Sequence, residues 1–267
     1  HESPKHTFFA KLPDMLNATT NLTFESAAAA SLALKPDAPL FCFSAPQLQA
    51  RARIFLKGFP GNVTFAVKAN SSSQVIRGLA DAGITAWDVA SVQEMAKVGK
   101  AAPNARFHYH NPVKSRREIT DAFNLYKCRR YVVDCREEQT KIADIIGPGK
   151  DIEIAVRFVL PRDRASSAHD FSTKFGAPDH ICVELLKQVV ALGYTPLLTF
   201  HPGSQATDPN TYVRHIEAAA RIARTADVEI SMLNVGGGFP ANYVLSQAPE
   251  PPVFFDAIDK AVLKAFG

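Results

Sequence analysis

Beyond about residue 60 the chain alternates between two hydrophobic rhythms. Short apolar or β-branched runs recur at "VTFAVK" (63–68), "ITAWDV" (84–89), "ARFHYH" (105–110), "RYVVDC" (130–135), "IEIAVRF" (152–158), "LLTFH" (197–201) and "SMLNVG" (231–236). Each reads as a strand, because a buried strand of a parallel sheet is apolar on both faces. Between them apolar residues return every three or four positions, as in "SQVIRGLADAG" (73–83), "VQEMAKVGKA" (92–101), "ICVELLKQVVALG" (181–193) and "TYVRHIEAAARIARTA" (211–226). These predict amphipathic helices, with Gly83, Gly99 and Gly193 placed as C-caps. Upstream, "PLFCFS" (39–44) is strand-like and leads into a helical stretch carrying Leu48, Ala52 and Phe55. Residues 1–38 are polar, Ala/Ser-rich and irregular, and read as an arm before a domain spanning 39–267.

Seven strand–helix units of about 20–40 residues predict an α/β fold, a parallel sheet with helical crossovers, and favour a (β/α)8 TIM-type barrel. A doubly wound open sheet is the alternative, weakened by the lack of a GxGxxG turn after the first strand. The chain stops at Gly267, directly after a seventh helix over "FDAIDKAVLKAF". The expectation is therefore a barrel lacking its last strand, with two uncovered edges.

Composition narrows the class. The 267 residues are 46% hydrophobic, enough for a sizeable core. A net charge of +4 with scattered Lys and Arg argues against a nucleic-acid partner. No apolar run reaches the ~20 residues of a membrane span. Four cysteines (Cys42, Cys128, Cys135, Cys182) lack metal-ligand spacing and read as free, buried thiols of a cytoplasmic protein. The start at His1, without Met or an apolar signal core, reads as a trimmed or tagged end.

Barrels carry their chemistry at the C-terminal ends of the strands, here Lys68, Asp88, Asn111, Asp134, Arg157, His201 and Gly236. A lysine with apolar residues behind it is a candidate Schiff-base nucleophile, although alone it reads more readily as a solvated loop lysine. The glycines of "NVGGGFP" (234–240) let backbone N–H groups approach a phosphate, or form a flexible turn. "FHPGSQ" (200–205) adds His201, Gly203 and Ser204. Lysine, a stacking histidine and a phosphate cradle together describe a site for pyridoxal 5'-phosphate (PLP).

In combination, "FAVKAN" (65–70), "WDVASVQEM" (87–95), "HNP" (110–112), "AVRF" (155–158), "TKFGA" (173–177), "HPGSQATDP" (201–209) and "NVGGGFP" resemble the fold-type III PLP-dependent basic amino-acid decarboxylases, nearest the ornithine/lysine branch, from about Pro39 to Gly267. The resemblance implies that Lys68 binds the cofactor covalently and that His201 stacks on its ring. Ser204, Gly236, Gly237 and Gly238 would hold the phosphate. Asp88 and Arg157 would line the pocket, with Glu94 nearby and Ala90 and Asn111 in its rim. Lys174 would face a partner subunit across a homodimer interface. The implied reaction is decarboxylation of ornithine or lysine to a diamine such as putrescine or cadaverine, a step of polyamine biosynthesis.

The chain also departs from that pattern. It carries no "EPGR"-type motif after the glycines and no C-terminal β-domain, and Asn234 replaces the usual aspartate before the glycines. The expectation is half an active site and little or no turnover by these residues alone. The competing readings are a PLP-binding barrel without catalysis (a PLP-homeostasis protein or an antizyme-inhibitor-like decoy), an alanine-racemase-like enzyme, and a sugar-phosphate barrel.

Overall fold

A computed structural model describes residues 8–11, 22–149, 151–160, 174–242 and 247–267. Seven parallel strands form the main sheet: β4 (Thr64–Ala66), β5 (Ala86–Val89), β6 (Arg106–Tyr109), β7 (Arg130–Val133), β8 (Glu153–Arg157), β9 (Thr195–Thr199) and β10 (Met232–Asn234). Their spatial order follows the chain order from β4 to β10. Among the described residues β4 and β10 do not pair, so they form the two edges of a barrel-type sheet. The residues before it hold β1 (Phe8–Lys11), β2 (Leu22–Phe24), α1 (Ala27–Leu34) and β3 (Phe41–Phe43). β1 lies between β2 and β3 in a small antiparallel sheet.

The helices α2 (Ala45–Gly58), α3 (Ser73–Ala82), α4 (Val92–Ala101), α5 (Arg116–Asn124), α6 (Arg136–Ile146), α7 (Asp179–Ala191), α8 (Asn210–Ala226) and α9 (Pro251–Phe266) complete the described elements. Three strand-to-helix turns end the same way. Ser72, Ser91 and Ser115 each accept a hydrogen bond from the backbone N–H three residues on, starting α3, α4 and α5. Glu118 completes a capping box on Ser115.

The core lies between strands and helices, where Trp87, Tyr109, Tyr131, Val133, Ile154, Val156 and Leu198 are buried. The opposite strand faces meet inside the sheet. There Val132, Ala155 and Leu197 form a small apolar cluster with Met232 packed on it. Beside it runs a polar row at consecutive register positions: Asp88 opposite His108, His108 opposite Arg130, and Arg130 opposite Glu153.

Several expectations change. The segment read as an irregular arm contains β1, β2 and α1, and β3 joins the small sheet rather than the parallel one, because its backbone partner is β1. Gly83 does cap α3, but Gly99 lies inside α4, which continues to Ala101 and is capped by Ala102. The thiols are free, with Cys128 and Cys182 buried; Cys42 is exposed because its strand lies in the small outer sheet, and Cys135 is half-buried. The first parallel strand ends at Ala66 rather than Lys68, and a single 3-10 turn (Val67–Ala69) follows, closed by the Asn70 N–H on the Val67 carbonyl at 3.1 Å.

Candidate active site

That early turn sets the position of Lys68. Val67 is fully buried and anchors the turn, while Lys68 projects exposed at the C-terminal rim of the sheet. Arg157 closes β8 and His201 follows β9 by two residues, and both lie within electrostatic reach of each other. Burial pushes the His201 imidazole down to about 4, and the charges of Arg157 and Lys68 and the ring of His215 act in the same direction. His201 is thus a neutral, flat ring at neutral pH. Burial also pushes the Arg157 guanidinium down, opposed by Asp134. The guanidinium lies 5.6 Å from the Phe175 ring centroid, and Asp134 accepts a hydrogen bond from the Gly176 N–H at 3.0 Å.

The glycine turn after β10 is fixed by its neighbours. The Asn234 side-chain oxygen accepts from the Gly236 N–H at 2.8 Å. The Gly237 carbonyl accepts from the Tyr212 hydroxyl at 2.8 Å, and the Gly238 carbonyl accepts from the Ala206 N–H at 2.9 Å. Gly236 and Gly238 have φ of 71° and 85°, and a Cβ on either would overlap a carbonyl oxygen, that of Phe200 or of Gly203. Only glycine fits both places. Among the described residues the N–H groups of Gly237 and Gly238 find no protein acceptor. Ser204 lies half-buried in the loop that Gln205 ties to Ala241 through a pair of hydrogen bonds of 3.0 and 2.9 Å. Loop and turn thus stand back to back at one end of the sheet.

On the other side of the bowl, Asp88 lies between two imidazoles. Its carboxylate oxygens are 3.2 Å from His108 Nδ1 and 3.3 Å from His110 Nδ1. Burial pushes the Asp88 carboxyl up, but His110 and then His108 outweigh it and hold it well below the ordinary carboxylate range. Burial pushes His108 down, with Asp88 opposing. Glu94 accepts from the Ala90 N–H at 2.7 Å, and the Asn111 amide donates to the Ala90 carbonyl at 3.2 Å, so these residues brace the rim.

Lys68, Asp88, Arg157, His201, Ser204 and Gly236–Gly238 therefore all lie at the C-terminal end of the parallel sheet. Lys174 is exposed outside it, and Thr173 of the same motif lies outside the described residues. Sequence reasoning passed over His108 and His110. Their signal was present in "ARFHYH", since positions i and i+2 of a strand share a face.

Residues 46–267 match the family described as "Pyridoxal-dependent decarboxylase, pyridoxal binding domain". The chain belongs to this family. It is 28% identical over 242 residues to the lysine/ornithine decarboxylase of Selenomonas ruminantium, covering 88% of this chain and 60% of that protein. It is 30% identical to antizyme inhibitor 2 of Xenopus laevis, covering 70% of this chain and 41% of that one. A solved structure of an SrLDC mutant in complex with PLP superposes with a TM-score of 0.77 at 27% identity, over 90% of this chain and 63% of the other. The chain thus spans between two-fifths and two-thirds of these relatives.

Pyridoxal phosphate is the cofactor of this pyridoxal-binding domain family. The side chains and backbone here suit such a group. A side-chain-free glycine cradle offers backbone donors to a phosphate, and a neutral imidazole offers a flat face to an aromatic ring. His110 Nε2 is buried without a hydrogen-bond partner among the described residues, an unmet polar atom just past the end of β6.

Proposed function

We propose that the protein is a PLP-dependent decarboxylase of a basic L-amino acid, with ornithine or lysine as the substrate class. The observation that carries this reading is the convergence of Lys68, His201 and the braced glycine turn on one sheet end. When bound there, PLP supplies an electrophilic aldehyde and an electron-accepting ring. Lys68 would be the covalent anchor, since its amine projects exposed at the C-terminal rim of the sheet. His201, buried and uncharged at neutral pH, would offer its face to the ring. Gly237 and Gly238 would offer their backbone N–H groups to that phosphate, with Ser204 beside them. Asp88 stays anionic and holds both histidines.

The ornithine or lysine preference is supported by likeness to the Selenomonas lysine/ornithine decarboxylase. A homodimer in which Lys174 meets an acidic residue of the second copy belongs to the same reading, as does a place in the cytoplasm. Those two points are supported by the family resemblance of "TKFGA" and by the free thiols.

Borohydride reduction in the presence of PLP, followed by peptide mass spectrometry, tests the anchor. The unmodified chain should carry one reduced adduct on Lys68, and Lys68→Ala should carry none and show no CO2 release with ornithine or lysine. An adduct that persists in Lys68→Ala would overturn the assignment. An adduct on Lys68 with no turnover of any basic amino acid, even in a longer form of the protein, would favour a PLP-binding barrel protein without catalysis.

A further inference from the structure

His110 is given no contact with the cofactor in the reading above, yet it is held as a ligand-facing imidazole would be. It follows β6 directly, at the mouth of the sheet. Its Nδ1 lies 3.3 Å from Asp88 Oδ2 and 3.3 Å from the Asn234 side-chain nitrogen. The Asn234 amide is oriented by its other end, because its oxygen accepts from the Gly236 N–H. One Nδ1 cannot serve both partners well. The bond to an anionic carboxylate is charge-assisted and about twice as strong as a neutral one, so the Nδ1 proton points to Asp88. That leaves Nε2 as the outward atom, and it is buried with no partner among the described residues. An orphan buried polar atom is a standing free-energy penalty, which a ligand atom that met it would remove.

Asp88, His108 and His110 also have the donor set of a metal site, with their ligand atoms within 4.8 Å of one another. The neighbours argue against that use. The Arg130 guanidinium lies 3.1 Å from His108 Nε2 and can only donate, so that nitrogen must accept and the His108 proton sits on Nδ1, facing Asp88. A metal would need Nδ1 bare, and would also sit close to the Arg130 cation. The row Glu153–Arg130–His108–Asp88 is instead balanced within itself, since Arg130 also pairs with Glu153 at 2.6 Å.

We propose that His110, oriented by Asp88, contacts a polar atom of the pyridoxal ring through Nε2. This rests on the PLP reading of the site. The ring is favoured over the phosphate because the anionic Asp88 stands directly behind His110, whereas the glycine turn already offers donors to a phosphate.

The test compares the unmodified chain with His110→Ala and His110→Gln, whose amide oxygen can accept a hydrogen bond in the place of Nε2. PLP affinity and the absorption maximum of the bound cofactor are measured, and each protein is also reduced with borohydride and mapped. All three should carry the adduct on Lys68. His110→Ala should bind PLP about tenfold more weakly, the equivalent of about 1.4 kcal/mol, with a displaced absorption maximum. His110→Gln should recover most of the affinity, and the alanine effect should persist with pyridoxal, which lacks the phosphate.

Unchanged affinity and spectrum in His110→Ala would overturn the proposal, as would a glutamine variant no better than alanine. An effect absent with pyridoxal would overturn it by moving the contact to the phosphate. Stoichiometric Zn2+ binding lost in both His108→Ala and His110→Ala would overturn it in favour of a metal site. No adduct on Lys68 in the unmodified chain would remove the PLP reading itself, and this proposal with it.

Discussion

His201 and Asp88 show how burial and neighbours compete at single residues. Both are taken from water, but Asp88 has two imidazoles beside it and stays charged, whereas among the described residues the Arg157 and Lys68 cations and the His215 imidazole act on His201, which stays neutral. A histidine held down in the fold takes up its proton less readily than in the unfolded chain. Stability is therefore full above the ordinary value of 6.5 and is lost as pH falls toward about 4. His201 should contribute a loss on the order of 3 kcal/mol across that window. His108 and His215, also pushed down by burial, add to it. Urea unfolding at a series of pH values should show a shallower acid decline in His201→Asn than in the unmodified chain. Equal slopes would mean that the His201 environment is not what resists protonation.

Between β6 and α6, one buried cation shapes the rim. Lys114 is 1% exposed and donates to the carbonyls of Asn111 at 2.8 Å and Val132 at 2.7 Å, and pairs with Glu138 at 3.0 Å. Burial pulls the ammonium down to about 8, with Glu138 opposing. Lys141 holds the other Glu138 oxygen at 2.6 Å. The lysine thus ties the "HNPVK" segment, and His110 with it, to the neighbouring strand. Lys114→Ala should cost about 3 kcal/mol, because it leaves a buried carboxylate half-paired and a buried carbonyl unmet. Lys114→Met with Glu138→Leu, which removes both charges, should recover much of that loss. Thermal melts of the two variants check it, and a single mutant as stable as the double would show that Lys141 alone satisfies Glu138. The sequence pattern could not expose this pairing, since Lys114 and Glu138 lie on separate elements.

Across the molecule, the parallel sheet is graded from centre to edges. β6, β7 and β8 have hydrogen-bonded neighbours on both sides, whereas β4 and β10 have one each among the described residues. Edge strands open locally at lower free energy than central ones. Amide hydrogen exchange followed by mass spectrometry should therefore protect Tyr131–Val133 and Ile154–Val156 longest, and release Thr64–Ala66 and Met232–Asn234 first. Equal protection of β4 and β10 with the centre would indicate that another segment or a second copy covers those edges in solution. The same two edges border Lys68 and the glycine turn, so whatever covers them also bears on the pocket.

The order and direction of the seven parallel strands were legible from the sequence, because short apolar runs separated by amphipathic helices have few other ways to pack. So were the main candidate residues, Lys68, His201 and the three glycines, since strand-end position follows from the strand assignment alone. The small N-terminal sheet was not legible: β1 and β2 become strands only by pairing, and their residues carry no strong period. Nor was the end of β4, where backbone geometry turns Val67–Ala69 into a 3-10 turn within an apolar run. The row from Asp88 to Glu153 and the orientation of His110 depended on register, which sets who stands opposite whom across separate strands. Periodicity assigns a residue to a face, but only the folded sheet decides which charges share that face and which atoms are left without a partner.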